Sequence, residues 1–341
     1  MKEKLRVAVI GAGYIGRINT EAMTKLGDVE VVAVCNHHIE KAEALIKELG
    51  LSARAYADWN GMLDNEKPDA AGIFLPHHLH KQCFFDCCER GVDVIIEKAL
   101  ANTYADCVEM IEAAQRAGIR ATVCQTQRYG AVYCTARDYI ALHHDELGKL
   151  LHIADGLHVH YFWDGRKDWM LDNACSGGGL AMNYGVHQLD RIHTFCDGKT
   201  VTFTGRVEAE KPGYTIPSGY SMLGRTSDGV TYTATCTGYS GPSVNETRLI
   251  YENAIIECSL CGNGFMDEGV FVGSTATKRF EPIPLTYAAD AMYVRQFRAA
   301  VDYLLCKTEV SPVPLTWAAE MVCLTELALK ISGFVEMPHG A

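Results

Sequence analysis

The chain has 341 residues, 48% of them hydrophobic and 21% charged, a balance that excludes wholesale disorder and allows two domains. A formal net charge of −11 excludes nucleic acid and anionic membrane surfaces as principal partners. No apolar run reaches the ~18–20 residues that a membrane helix needs.

The opening segment MKEKLRVAVIGAG carries lysines, a short apolar run and at once a glycine pattern. With no small-residue cleavage site, it reads as a first strand over residues 4–10 rather than a leader. YIGRINTEAMTKL follows with helical spacing, then a strand VEVVAVC (29–35) and the helix IEKAEALIKELG, which ends at Gly50. DAAGIFL (69–75) is a further strand, HLHKQCFFDCCERG a helix, VDVIIE (92–97) a strand, ADCVEMIEAAQRAG a helix and IRATVCQ (119–125) a strand. Continuous apolar strands between amphipathic helices predict a doubly wound parallel sheet, a Rossmann domain over residues 1–125.

After residue 125 the pattern changes. LHIADGLHVHYFW (151–163), TVTFTGRVEAE (200–210), GVTYTATCTGY (229–239) and TRLIYENAIIECSL (247–260) alternate with period two. They predict a large, mostly antiparallel open sheet covered on one face, in an α+β domain over 126–341. NYGVHQLDRIHTFC, AADAMYVRQFRAAVDYLL and TWAAEMVCLTELALKIS are helical, and the last helices are candidates to pack back on the first domain.

Fourteen cysteines are spread through apolar segments, which fits reduced thiols in a cytoplasmic protein better than disulfides. Cys258-x-x-Cys261 is a lone pair, and His158 with His160 gives two ligands without a third, so no metal site is expected.

Gly11-Ala12-Gly13-Tyr14-Ile15-Gly16 is G-x-G-x-x-G between a strand and a helix, the context that dinucleotide binding requires. Gly11 permits the turn, Gly13 lets the backbone approach a pyrophosphate, and Gly16 lets helix and strand pack closely. The position expected to meet the adenosine ribose is Asn36, followed by His37 and His38. Asparagine bonds a hydroxyl without repelling a 2′-phosphate, Arg17, His37, His38 and Lys41 could supply positive charge nearby, and His37 and His38 otherwise read as solvated loop residues. The cofactor is therefore NAD or NADP.

Glu97-Lys98 closes a strand and Pro76-His77-His78 closes another, so both lie on the carboxyl edge that faces ligands in open parallel sheets. The bland alternative for Glu97-Lys98 is a solvated ion pair. A second candidate is GGGLAMNYGVHQLD (177–190). Three glycines allow close approach to the backbone, and Asn183 and His187 share a helix face at i,i+4, with Asp190 further along. Arg128, Tyr129, His160, Trp163 and Trp169 are polar or stacking candidates for a substrate pocket.

The glycine motif, Glu97-Lys98-Ala99 at the position of an E-K-P motif, and the G-G-x(4)-D/N-x-G-x-H segment at Gly178–His187 together resemble the glucose-fructose oxidoreductase/inositol dehydrogenase (Gfo/Idh/MocA) family over nearly the whole chain. The resemblance implies an NAD(P)-dependent dehydrogenase or reductase for a secondary alcohol of a sugar, cyclitol or glycoside. It places Lys98, His187 and Asn183 at the catalytic positions and implies a homodimer or homotetramer through the C-terminal sheet, while the strand ends put Glu97, Pro76 and His77 beside the cofactor. Ala99 replaces the family's proline, and a non-proline cis bond costs about 2.5–4 kcal/mol, so a trans bond is expected. Asn183 replaces a frequent aspartate and makes His187 a weaker base. Two alternatives share the fold: a redox-assisted glycosidase with tightly bound NAD, and a non-catalytic NAD(P)-sensing regulator.

Overall fold

The alternation of the first 125 residues folds as βα units. A computed structural model of the chain describes residues 4–208, 211–239, 241–260, 268–330 and 335–336. The chain divides into two units, residues 1–126 with 292–322 and residues 127–291 with 323–341.

The first unit holds β1 (Leu5–Ile10), α1 (Tyr14–Thr24), β2 (Val29–Cys35), α2 (Ile39–Leu49), β3 (Arg54–Tyr56), α3 (Trp59–Glu66), β4 (Ala70–Ile73), α4 (His80–Glu89), β5 (Asp93–Glu97), α5 (Tyr104–Ala117) and β6 (Ala121–Cys124). The sheet order is β3-β2-β1-β4-β5-β6 and every pairing is parallel. β1 is buried at all but Arg6, which is why its sequence is a run of aliphatics rather than an alternation. Local chemistry sets the helix ends. Asp58 accepts from the Asn60 and Gly61 N–H groups at the start of α3, and Thr103 accepts from the Asp106 N–H at the start of α5. Gly50 and Gly118 close α2 and α5 at φ 62° and 67°. β3 and α3 were not read from the sequence. A three-residue edge strand and a helix with weak apolar spacing carry little periodic signal.

Residues far along the chain complete this core. The helix α10 (Met292–Leu304) contributes Phe297, Ala300, Val301 and Leu304 to the cluster formed by Val7, Val9, Met23 and Phe74. Phe297 meets Phe74 edge-on at 6.2 Å. Arg120 donates to the Tyr303 carbonyl at 2.7 Å, and the Val123 N–H donates to the Val313 carbonyl at 3.1 Å. An N-terminal domain bounded at residue 125 therefore lacks part of its own interior.

The second unit contains α6 (Ala131–Leu147), β7 (Leu150–His158), the short helices α7 (Asp168–Leu171) and α8 (Asn173–Ser176), α9 (Val186–Thr194), β8 (Thr200–Val207), β9 (Gly219–Thr226), β10 (Thr231–Thr237), β11 (Val244–Tyr251), β12 (Ala254–Ser259), β13 (Gly269–Ser274) and β14 (Phe280–Ile283). The helix α11 (Leu315–Lys330) belongs to the first unit up to Val322 and to the second from Cys323, before β15 (Val335–Glu336). The nine-stranded sheet runs β14-β13-β12-β11-β7-β10-β9-β8-β15, antiparallel except for β7 with β10. On β9, Tyr220, Met222 and Thr226 face inward while Ser221, Leu223 and Arg225 face outward, the period of a sheet covered on one side.

Two expectations need correction. The segment 247–260 is not one strand but the hairpin β11–β12, broken at Glu252 and Asn253, where two polar residues make the turn. The strand read over 151–163 stops at His158, so His160 lies beyond it. His158 bonds the Thr237 hydroxyl at 3.1 Å, and His160 is exposed. Among the described residues no group of His, Cys, Asp or Glu is placed to hold a metal ion, no disulfide forms, and no helix is long and apolar enough to cross a membrane. Cys261 of the Cys258-x-x-Cys261 pair lies outside the described residues.

Candidate active site

The glycine motif turns the chain from β1 into α1. Gly11 has φ 107°, and a Cβ there would lie 2.3 Å from the Phe74 carbonyl oxygen. A Cβ on Gly16 would lie 1.8 Å from the Gly11 carbonyl oxygen. Both glycines are therefore demanded by the chain itself. Gly13 is different: its φ is −81° and a Cβ would meet no protein atom within 4 Å. The chain itself makes no demand for glycine there, and the open space leaves room for a ligand. Gly13 begins α1 without a side-chain cap, the first turn has no acidic residue, and Tyr14 is exposed beside Ile15. The unpaired N–H groups of that turn suit a pyrophosphate. The site thus fits a dinucleotide, which would lie at the switch between β1 and β4, where the strand order reverses.

At the end of β2, the Asn36 side-chain oxygen accepts from the His38 N–H at 3.0 Å, which leaves its amide N–H groups to meet a hydroxyl. His37 is exposed and its ring lies 4.0 Å from that of His38. Arg17 is engaged by Glu48 at 2.6 Å and Glu21 at 3.3 Å.

β5 ends in the same carboxyl edge. Glu97 is buried, not solvated. It accepts from the Asn19 amide at 2.8 Å and from the Lys98 N–H at 3.2 Å. Burial raises its pKa, against the opposing pull of the Lys98 charge and the Asn19 bond. The same desolvation pushes the half-buried Lys98 down to about 8, with Glu97 acting the other way. The Lys98–Ala99 peptide is cis, which corrects the expectation drawn from alanine. His77 is buried behind Pro76, and its Nε2 lies 3.4 Å from the Ala99 N–H nitrogen.

His80 completes this corner. His80 is fully buried, with Nδ1 at 2.9 Å from the Ala99 carbonyl oxygen and 3.3 Å from that of Leu100, and Nε2 at 2.9 Å from that of Leu75. Burial pushes its pKa down to about 4, while the three carbonyls favour the protonated ring. The available signal was positional: His80 stands on the first turn of the helix that follows Pro76.

In the second unit, Gly177 closes α8 at φ 68° and Gly179 has φ 53°. The Ser176 hydroxyl accepts from the Gly179 N–H at 2.9 Å. Ala181–Gly185 then makes a single π-helical turn before α9, so Asn183 and His187 flank a change of helical pitch instead of lying on one regular helix. Asn183 is 9% and His187 8% exposed. The Asn183 amide donates to the Tyr161 hydroxyl oxygen.

α9 is held to the sheet by buried polar groups the sequence reading missed. Asp155 on β7 accepts from Arg191 at 2.9 Å, Gln188 at 2.6 Å and Thr247 at 2.6 Å, with both charged side chains fully excluded from solvent. Arg191 also donates to Gln127 at 2.6 Å and Asn245 at 2.7 Å. An aspartate in the inward register between Ile153 and Leu157 was the sign of such a network. Arg128 donates to Asp190 through Nε at 3.2 Å and through Nη2, so its guanidinium braces α9 as well. Tyr129 and Trp169 are half-buried, Trp163 is 46% exposed, and all three lie in this second unit.

A dinucleotide-type Rossmann unit with the half-buried Lys98 on its carboxyl edge has the features of a nucleotide-dependent oxidoreductase. The chain belongs to the Gfo/Idh/MocA oxidoreductase family: residues 5–125 match its NAD-binding Rossmann fold and residues 135–257 its C-terminal domain. It is similar to D-glucoside 3-dehydrogenase of Escherichia coli, 33% identical over 115 residues, 33% of this chain and 32% of that protein. It is 29% identical over 221 residues to inositol 2-dehydrogenase 1 of Paenarthrobacter aurescens, 64% of this chain and 61% of that protein. The chain thus spans less than two thirds of either curated relative. The solved levoglucosan dehydrogenase complex with NADH has the same fold, with TM-score 0.85 and 17% identity, covering 98% of this chain and 99% of that one.

Proposed function

We propose that the protein transfers a hydride reversibly between NAD and a secondary alcohol of a sugar, cyclitol or glycoside. The observation that carries this reading is Lys98. It is a half-buried ammonium on the same sheet edge as the Gly13 cradle, with its pKa lowered to about 8. Perturbed cations beside a cofactor cradle are candidate catalytic groups. The nicotinamide supplies the hydride acceptor when bound. Lys98 donates to the reacting oxygen and stabilises developing alkoxide. His187 takes the hydroxyl proton as general base. Asn183, tied to Tyr161, orients the substrate or the imidazole.

NAD is favoured over NADP because Arg17 is already answered by Glu21 and Glu48, and Asn36 keeps amide N–H groups for a ribose hydroxyl. The names of the glucoside and inositol dehydrogenases support the substrate class. The outward face of the nine-stranded sheet, with Thr231, Thr233, Thr235 and Thr237 half-exposed, is assigned to self-association, and light scattering tests it. The free cysteines among the described residues support a reducing, cytoplasmic setting.

The test incubates the protein with NAD or NADP and a panel of polyols, sugars and nitrophenyl glycosides. Reduced nicotinamide absorbance supports the reading. Nitrophenol release without net reduction replaces it with the redox-assisted glycosidase, and silence in both channels leaves the regulator.

A further inference from the structure

Arg166 sits in the loop between β7 and α7. Its guanidinium carbon lies 3.9 Å from the Tyr161 ring and 5.5 Å from the ring of the exposed Trp163. Nε donates to the Tyr161 carbonyl, Nη1 points to the Met170 sulfur at 3.4 Å, and the Tyr184 hydroxyl oxygen accepts from the same side chain. Tyr161 in turn is bonded to Asn183, and Tyr184 is the next residue of the π-helical turn. The guanidinium therefore abuts the segment that carries a catalytic candidate.

Among the described residues no carboxylate pairs with Arg166, whereas Arg128 and Arg191 of the same unit are answered by Asp190 and Asp155. Three neutral acceptors hold the group in place and leave N–H donors of its fork to spare. A half-buried, stacked guanidinium fixed by neutral groups has little side-chain freedom left to lose on binding an anion. Its planar fork matches a carboxylate, and one such cation balances one negative charge. In a chain with 42 acidic and 31 basic residues, an arginine beside the candidate site that no described carboxylate answers is suited to an external anion.

We propose that Arg166 is a specificity residue that binds the carboxylate of an acidic sugar, so that the substrate is a uronic acid or its glycoside rather than the neutral sugar. This rests on the dehydrogenase reading above and narrows its substrate class. Trp163 offers a face for the sugar ring beside the bound carboxylate.

The experiment compares neutral and acidic members of matched pairs, glucose with glucuronate, galactose with galacturonate and a methyl glucoside with its glucuronide, for NAD reduction by wild type, Arg166→Lys and Arg166→Gln. Wild type is expected to favour the acid by about tenfold or more in kcat/KM, the worth of a charge-assisted hydrogen bond. Arg166→Gln should collapse that ratio mainly through KM, and Arg166→Lys should keep part of it. Calorimetric titration of the same uronates into NADH-saturated protein reads the subsite without turnover. Binding that Arg166→Gln weakens about tenfold upholds the carboxylate site even if no redox activity exists. A wild-type preference for the neutral member, an unchanged ratio in Arg166→Gln, or no uronate binding overturns the proposal. Thermal melts identify a misfolded Gln variant, and Arg166→Lys then carries the comparison.

Discussion

The imidazole of His80 joins the carbonyl oxygens of Leu75 and Ala99, each 2.9 Å from a different ring nitrogen. One carbonyl lies just past β4 and the other just past Lys98, so a single side chain ties together two loops of the cofactor edge. Its neutral ring carries one N–H, so removing it strands the buried carbonyl that N–H serves, at about 1–3 kcal/mol where no other donor reaches it. His80→Ala is therefore expected to lower the melting temperature and to reduce kcat more than NAD affinity, because Lys98 loses its brace. His80→Gln should recover part of both. Equal loss of kcat and NAD affinity would show that His80 acts on the fold alone.

Lys98 has a folded pKa near 8 against an ordinary 10.5. Activity that needs its ammonium should fall as pH rises through about 8, and Lys98→Met should lose activity at every pH. Stability moves the opposite way. Between pH 8 and 10.5 the unfolded chain holds a proton that the folded one has released, so folding gains stability as pH rises through that window. Denaturant unfolding should find Lys98→Met more stable than wild type at pH 7, with the gap narrowing by pH 10. A gap that does not change with pH would falsify the assigned desolvation.

Asp155 and Arg191 are both fully excluded from solvent. Burial disfavours the Arg191 charge and the Asp155 carboxylate more than offsets this, so its pKa is raised overall. Asp155→Ala or Arg191→Met should each cost about 3–5 kcal/mol, since each leaves an uncompensated buried charge. The double variant should cost less than the sum. A strictly additive cycle, measured by chemical denaturation, would mean that the two side chains stabilise independently.

Two glycines of one motif should fail in different ways. Gly11→Ala puts a Cβ 2.3 Å from a backbone oxygen at φ 107°, so the first unit should be strongly destabilised. Gly13→Ala meets no protein atom and should leave the melting temperature nearly unchanged while weakening NAD binding. Titration of NADH fluorescence against thermal melts separates the outcomes. Unchanged NADH affinity in Gly13→Ala would remove the pyrophosphate from this turn.

Much of the fold was legible because its signals are local and periodic. The aliphatic runs of β1, β2, β4, β5 and β6 and the alternation of β7, β8 and β10 read directly as strands. What was not legible depends on partners distant in sequence. β3 is three residues long, the Glu252-Asn253 turn interrupts an otherwise continuous alternation, and the π-helical turn at 181–185 leaves no spacing signature. Lys98, Asn183 and His187 stood out through motif context. His80, Asp155 and Arg191 did not, because a buried polar residue declares its role only when its acceptors and donors are known. Arg128 shows the converse: it read as a pocket residue, and its guanidinium is bonded to Asp190.

The return of α10 to the first unit bears on how the chain is made. Phe297, Ala300, Val301 and Leu304 fill the same interior as Val7, Val9 and Phe74, more than two hundred positions away. On the ribosome the nucleotide-binding half stays unfinished until most of the polypeptide has emerged, so the open sheet has all its strands but β15 in hand first. A gene cut after residue 125 encodes a fragment with a gap in its interior, whereas one fusing 1–126 to 292–322 through a short linker keeps the nucleotide-binding interior whole.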